Sequence, residues 1–175
     1  MQLKTKNLIM GSFFLALGLI MPYFFHLVGM AGPMFLPMHL PVLLCGFILG
    51  SRYGLIVGLL TPLLSAVLTG MPPIYPTGLA MTFELAAYGF TSGYLYRIKR
   101  AKVIPSLISA MLLGRIVSGV ANYLLITAGG KNFILKIFLA SAFTKPILGI
   151  IMQLVLIPII VKALEKNMGR VNINE

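Results

Sequence analysis

Apolar residues run along this chain in long unbroken blocks rather than in amphipathic stripes. Six blocks stand out, at about residues 8–27, 38–50, 53–69, 78–96, 103–126 and 137–164. A hydrocarbon core roughly 30 Å thick needs about 20 helical residues to cross it. The pattern therefore predicts an all-α membrane protein, a bundle of six transmembrane helices folded as a single domain over residues 1–175. The second and third blocks are short for a crossing and are parted only by Ser51-Arg52-Tyr53, so their ends are the least defined. Lys4 and Lys6 before the first block give it the look of a signal peptide. It lacks a convincing small-x-small cleavage site and is long enough to span, so a retained helix is expected.

Composition agrees with lipid as the solvent. The chain has 175 residues, 59% apolar and only 10% charged, against about a quarter charged in a typical soluble domain. Fourteen Lys and Arg face three acids, for a net charge of +11. A nucleic-acid surface would need a solvated basic face. Here the cations sit between apolar runs, so no nucleic-acid partner is expected. They read instead as topology signals. With the N-terminus inside, Lys4, Lys6, Arg52, Arg97, Lys99, Arg100, Lys102, Lys162, Lys166 and Arg170 are cytoplasmic, and the outer loops hold only Lys131 and Lys136. The bias of loop cations toward the cytoplasm thus places both termini inside.

The outer loops are unusual. One runs from Gly29 to Pro33 and on through Pro37-Met38-His39-Leu40-Pro41; the other is Gly70-Met71-Pro72-Pro73-Ile74-Tyr75-Pro76-Thr77-Gly78. Proline removes backbone donors and glycine permits unusual dihedrals, so neither stretch is expected to continue a helix. Both are apolar and Met-rich, which suits either a lid over a ligand or a snug helix connector.

Ionisable groups inside membrane helices are costly and mark function by default. Here they are Glu84, Arg115 and Lys145, in the fourth, fifth and sixth blocks. At about 1.5 Å per residue, Glu84 falls roughly 9 Å and Lys145 roughly 12 Å below the outer helix ends, with Arg115 near the midplane. All three are expected to converge in the outer half of the membrane. Ser118, Gly119 and Asn122 share a helix face with Arg115, Tyr88 and Met81 with Glu84, and Ser141 with Lys145. Glu84 can neutralise only one of the two cations. Because an unpaired buried charge is very costly, a surplus cation points to an anionic ligand, to water, or to a deprotonated Lys145. Lys145 also precedes Pro146, which disrupts the helix locally.

The remaining candidates carry less. His39 at the outer mouth and His26 at the end of the first block read as interfacial residues, and no second ligand stands at metal spacing, so no metal or cofactor is expected. Cys45 lies in an apolar run and reads as a packing residue. Ser12 and Ala16, four apart with Gly18 nearby, would let another helix approach closely, and Gly50, Gly54 and Gly58 form a second such row. No nucleophile elbow, His-Glu-x-x-His or phosphate-cradling loop is present, so no enzyme is expected. Uphill movement of a solute would need energy from a partner or an ion gradient.

Several blocks together resemble the substrate-binding S component of energy-coupling factor (ECF) transporters. They are Pro37-Met38-His39-Leu40-Pro41-Val42-Leu43-Leu44-Cys45-Gly46, Gly50-Ser51-Arg52-Tyr53-Gly54 with Gly58-Leu59-Leu60-Thr61-Pro62-Leu63-Leu64-Ser65, Leu68-Thr69-Gly70-Met71-Pro72-Pro73, and Phe83-Glu84-Leu85-Ala86-Ala87-Tyr88-Gly89. The resemblance implies a multi-pass protein of the bacterial cell membrane that binds a vitamin outside. It would then dock on a membrane coupling subunit driven by two cytoplasmic ATPases and topple to deliver its cargo. It also implies docking through an Ala-x-x-x-Ala motif, in whose place stand Ser12 and Ala16. Substrate-binding residues are then expected among Glu84, Tyr88, Arg115, Asn122, Lys145, His39 and Tyr75. The surplus charge leans toward pantothenate, with pyridoxine, a pyrimidine or a cobalamin-type compound as alternatives. Rival readings are a six-helix scaffold, which the chain resembles in MreD-like size and plan, and a lone secondary transporter, for which no inverted repeat is visible.

Overall fold

A computed structural model describes residues 2–27 and 32–168. Gly29, Met30 and Ala31 of the first outer loop, and Arg170 with most of the polar tail, lie outside the described residues. Those described form helices and connecting turns, with no strand. The helices are α1 (Gln2–Leu27), α2 (Gly32–Phe35), α3 (His39–Leu49), α4 (Ser51–Thr69), α5 (Leu79–Gly93), α6 (Val103–Ala128), α7 (Leu135–Leu139) and α8 (Ile147–Met168). Wide π-helical turns at Ile74–Gly78, Tyr94–Ile98 and Ala140–Thr144 extend α5 at both ends and link α7 toward α8.

Among the described residues, four helical stretches are long and apolar enough to cross a membrane: Thr5–Phe24, Ser51–Thr69, Val103–Ala128 and Ile147–Leu164. His39–Leu49 and Leu135–Thr144 are shorter apolar helical stretches. The predicted sixth block is thus not one helix but two, broken where Lys145 N–H reaches back five residues to Ala140 O at 2.9 Å. The Pro/Gly-rich loops also hold more helix than expected. Gly32–Phe35 forms a turn, and Ile74–Gly78 winds into α5 with only Tyr75 extended (φ −118°, ψ 135°). Pro76 fits there because its missing N–H and fixed φ are tolerated in a helix's first turn.

α3 sits at the centre, with all eleven residues buried. It packs against α1, α4, α5 and α8, and α5 in turn lies between α4 and α6. Its eleven residues span only about 16 Å, so it forms an interior strut wrapped by longer neighbours. The helices around it turn rows of large apolar side chains outward: Leu8, Ile9 and Phe13 on α1, Ile108, Leu112 and Ile116 on α6, Ile151 and Val155 on α8. In water such a surface would aggregate; in lipid it is solvated.

Two local devices fix the strut. Gly50, at φ +95°, reverses the chain between α3 and α4 and closes α3 through its N–H to Gly46 O. Arg97 then donates from Nε to Phe47 O at 3.1 Å and from Nη2 to Ile48 O. A cation on the last carbonyls of α3 satisfies orphan acceptors and complements the helix dipole. Arg97, expected only as a topology signal, is also a cap.

The glycine row Gly54 and Gly58 is where α4 meets α5 backbone to backbone. A Cβ on Gly54 would lie 2.3 Å from Gly89 O, and one on Gly58 would lie 2.4 Å from Leu85 O. That contact holds α5 firmly in place and so sets the height of Glu84 and Tyr88.

Candidate functional site

α5 carries Glu84 and Tyr88 one turn apart, and α6 carries Arg115, Ser118 and Asn122 along one stripe. The first residue of α3, His39, completes the cluster. Arg115 Nη1 donates to Glu84 Oε1 at 2.6 Å, and His39 Nε2 lies 3.3 Å from the same oxygen. All three are buried, with exposures of 9%, 3% and 2% for Arg115, Glu84 and His39. The His39 ring meets Tyr88 edge-on, centroids 5.3 Å apart. Tyr88 in turn lies on Gly114, where a Cβ would come within 1.9 Å of its Cε1. With Nε2 donating to the carboxylate, a second proton on His39 would sit on Nδ1, which is buried and without a partner among the described residues. That geometry favours the neutral ring. The cluster then carries one negative and one positive charge, and is balanced.

Buried polar atoms remain over. Besides His39 Nδ1, the Tyr88 hydroxyl, Arg115 Nη2 and both amide atoms of Gln153 on α8 have no hydrogen-bond partner among the described residues. Gln153 is fully buried and was not among the expected site residues. Its only signal in the sequence is that it is the one polar residue between Gly149 and Lys162.

Toward the end of the bundle where α6 stops, the same stripe opens into a cleft of about 190 Å³. It is lined by Asn122, Ile126, Asn132, Phe133, Ile134, Ile137, Phe138 and Ser141. Phe138 enters because Gly119 leaves room: a Cβ there would stand 3.1 Å from the ring. Asn122 Nδ2 donates to Ser118 O at 2.8 Å, and Ser141 Oγ donates to Phe138 O at 2.8 Å. The loop 70–78 lies at this end too. Ser65 Oγ donates to Met71 O at 2.7 Å, and the exposed Tyr75 donates its hydroxyl to Leu125 O on α6. The loop is therefore fastened to two helices.

Of the residues expected to form a pocket, Glu84, Tyr88, Arg115 and His39 are brought together, Asn122 lines the cleft, and Tyr75 ties the loop beside it. Lys145 is the correction. It is exposed, as are Phe143, Thr144, Ile147 and Leu148 around it, and it makes no ion pair among the described residues. The expected convergence of three charges is a convergence of two, joined by His39. Ser141 lines the cleft, whereas Lys145, just past the wide turn Ala140–Thr144, does not. His39 was expected at an interfacial mouth and is instead buried against a carboxylate. Ser12 and Ala16 are both exposed on α1, whereas Gly18 is buried against Thr61.

These features define a helical transmembrane protein with a balanced polar cluster inside and a small cleft at one end. The model of the family described as ECF transporter, substrate-specific component, matches residues 6–161, and the chain belongs to that family. It is a transmembrane transport protein, an S component whose part is binding rather than catalysis. No curated protein and no solved structure matches the chain.

Proposed function

We propose that this protein captures a small vitamin-type solute in the cleft between α6 and residues 131–141, on the outer side of a bacterial cell membrane. It delivers the solute through a membrane coupling subunit powered by two cytoplasmic ATPases. The observation that carries this reading is the α6 stripe. Arg115 and Ser118 are buried in the polar interior while Asn122, on the same face, lines a cleft of about 190 Å³. His39, Glu84, Tyr88 and Arg115 form the fixed polar base behind the cleft, Tyr75 holds its neighbouring loop, and the exposed Lys145 is dispensable. Six crossings with both termini cytoplasmic follow from the cations of the 50–53 and 97–102 turns and of the C-terminal end, and put the cleft outside. The exposed Ser12 and Ala16 face of α1 is then free to meet the coupling subunit.

An acid such as pantothenate would need a surplus cation inside the bundle. Arg115 is paired to Glu84 and Lys145 is exposed, so the described interior holds none. The cleft is also smaller than the roughly 300–1,000 Å³ usual for drug-sized ligands, which favours a compact vitamin over a cobalamin-type one.

Calorimetry on the protein in nanodiscs, titrated with a panel of vitamins, tests the capture. One compound should bind at micromolar Kd or better, and Asn122→Leu should weaken it by about tenfold, the loss of one buried hydrogen bond. A scaffold would bind none of them.

A further inference from the structure

The polar groups of the cleft are fixed in one sense. Asn122 must turn its Nδ2 toward Ser118 O, because a carbonyl can only accept. Its Oδ1 is thereby left as an acceptor, with no hydrogen bond among the described residues. Ser141 spends its hydroxyl proton on Phe138 O, so its oxygen too is left to accept. The third polar side chain, Asn132, is exposed at the rim. No Lys, Arg, His, Asp or Glu lines this cleft. The nearest charge along the α6 stripe, Arg115, already holds Glu84 at 2.6 Å.

A carboxylate or phosphate placed here would meet two oxygen lone pairs and no cation. Desolvating an anion without a partner costs far more than a neutral polar group. A cation would fare little better, since Glu84 is engaged. The rest of the lining is flat or branched hydrocarbon. Phe133 and Phe138 tilt across each other with centroids 5.8 Å apart, and Ile126, Ile134 and Ile137 complete the wall. Such a surface gains from burying a ring.

We infer that the captured solute is uncharged: a compact, ring-sized body presenting two hydrogen-bond donors, N–H or O–H, to Asn122 Oδ1 and Ser141 Oγ. The inference rests on the capture reading above and adds the charge class and the polarity of the recognised edge. It selects hydroxyl- or amide-bearing neutral vitamins and sets aside their acid and phosphate forms.

Matched pairs give the test. Calorimetry on the protein in nanodiscs would compare pyridoxine with pyridoxine 5′-phosphate, nicotinamide with nicotinate, and pantothenol with pantothenate, with riboflavin, biotin and thiamine completing the panel. The tightest binder should be neutral and exceed its charged partner, where it has one, by about tenfold or more. Its Kd should be indifferent to salt, since no ion pair is screened. Ser141→Ala should weaken it severalfold, and because this residue is exposed the variant should fold normally. If the tightest binder is an anion or a cation, or its Kd rises with salt, the inference fails while capture stands. If Ser141→Ala is silent, the donor assignment fails. If nothing on the panel binds, the capture reading fails with it.

Discussion

Arg115→Met should destabilise the folded protein by about 3–5 kcal/mol, the cost of breaking a buried ion pair by removing one partner. Glu84 is 3% exposed, and its Oε1 receives Arg115 at 2.6 Å and His39 at 3.3 Å. Without the guanidinium its charge is left with neutral partners alone, the His39 ring and the Ser118 hydroxyl. Glu84→Gln should be similarly damaging, because Arg115 then stands alone. The double variant Glu84→Gln/Arg115→Met removes both charges together. It should recover most of the loss, since replacing a whole buried pair by neutral groups is often nearly neutral. Denaturation of the four proteins in detergent therefore closes a double-mutant cycle with a large coupling energy. Lys145→Met, at an exposed position, should leave the same melt unchanged. Equal, additive losses from the two single variants would show that the pair does not carry the interior.

Gly89→Ala should be nearly as severe, by a different route. Alanine within a helix ordinarily gains about 1 kcal/mol over glycine. At Gly89 the added Cβ would lie 2.1 Å from Gly54 O, a backbone atom that cannot step aside. To relieve it, α5 must move off α4 by more than an ångström. That loosens the Gly58 contact with Leu85 O and the Gly46 contact with Gly89 O. Overpacking of this kind costs about 1–3 kcal/mol even where side chains yield, and here the whole helix pair must part. Gly11→Ala is the control: its Cβ would meet the Tyr53 ring at 3.4 Å, an ordinary contact, so the variant should be neutral or slightly stabilising. A Gly89→Ala protein that melts with the native one would mean the two helices are not in backbone contact.

Much of this architecture was readable from the chain. Long apolar runs fix where helices lie, and Ser51–Thr69 and Val103–Ala128 fall within two residues of the blocks that predicted them. What periodicity could not show is which apolar neighbour a helix has. α3 reads like its companions, yet it is wholly enclosed by protein, and lipid tails and leucine side chains are alike to a hydropathy pattern. The pairing of Glu84 with Arg115 was legible because both are ionisable groups in apolar runs. His39 was not, because the prolines beside it suggested a loop, and only packing across 45 residues of chain brings it to Glu84. Lys145 misled for a related reason. Rise per residue gives depth but not direction, and just past the turn at Ala140–Thr144 the Lys145 side chain is exposed. Removing that charge from the interior changes the expected cargo from an acid to a neutral molecule.

The most direct measurement is protection of a cysteine placed in the cleft. Asn132→Cys puts a thiol on the rim, while the native Cys45 is fully buried and should contribute little background. In intact cells, a membrane-impermeant maleimide should label Asn132→Cys from outside, and the vitamin that binds the purified protein should block the labelling. Labelling that needs permeabilised cells, or that the bound vitamin leaves untouched, would contradict capture at an outward-facing cleft.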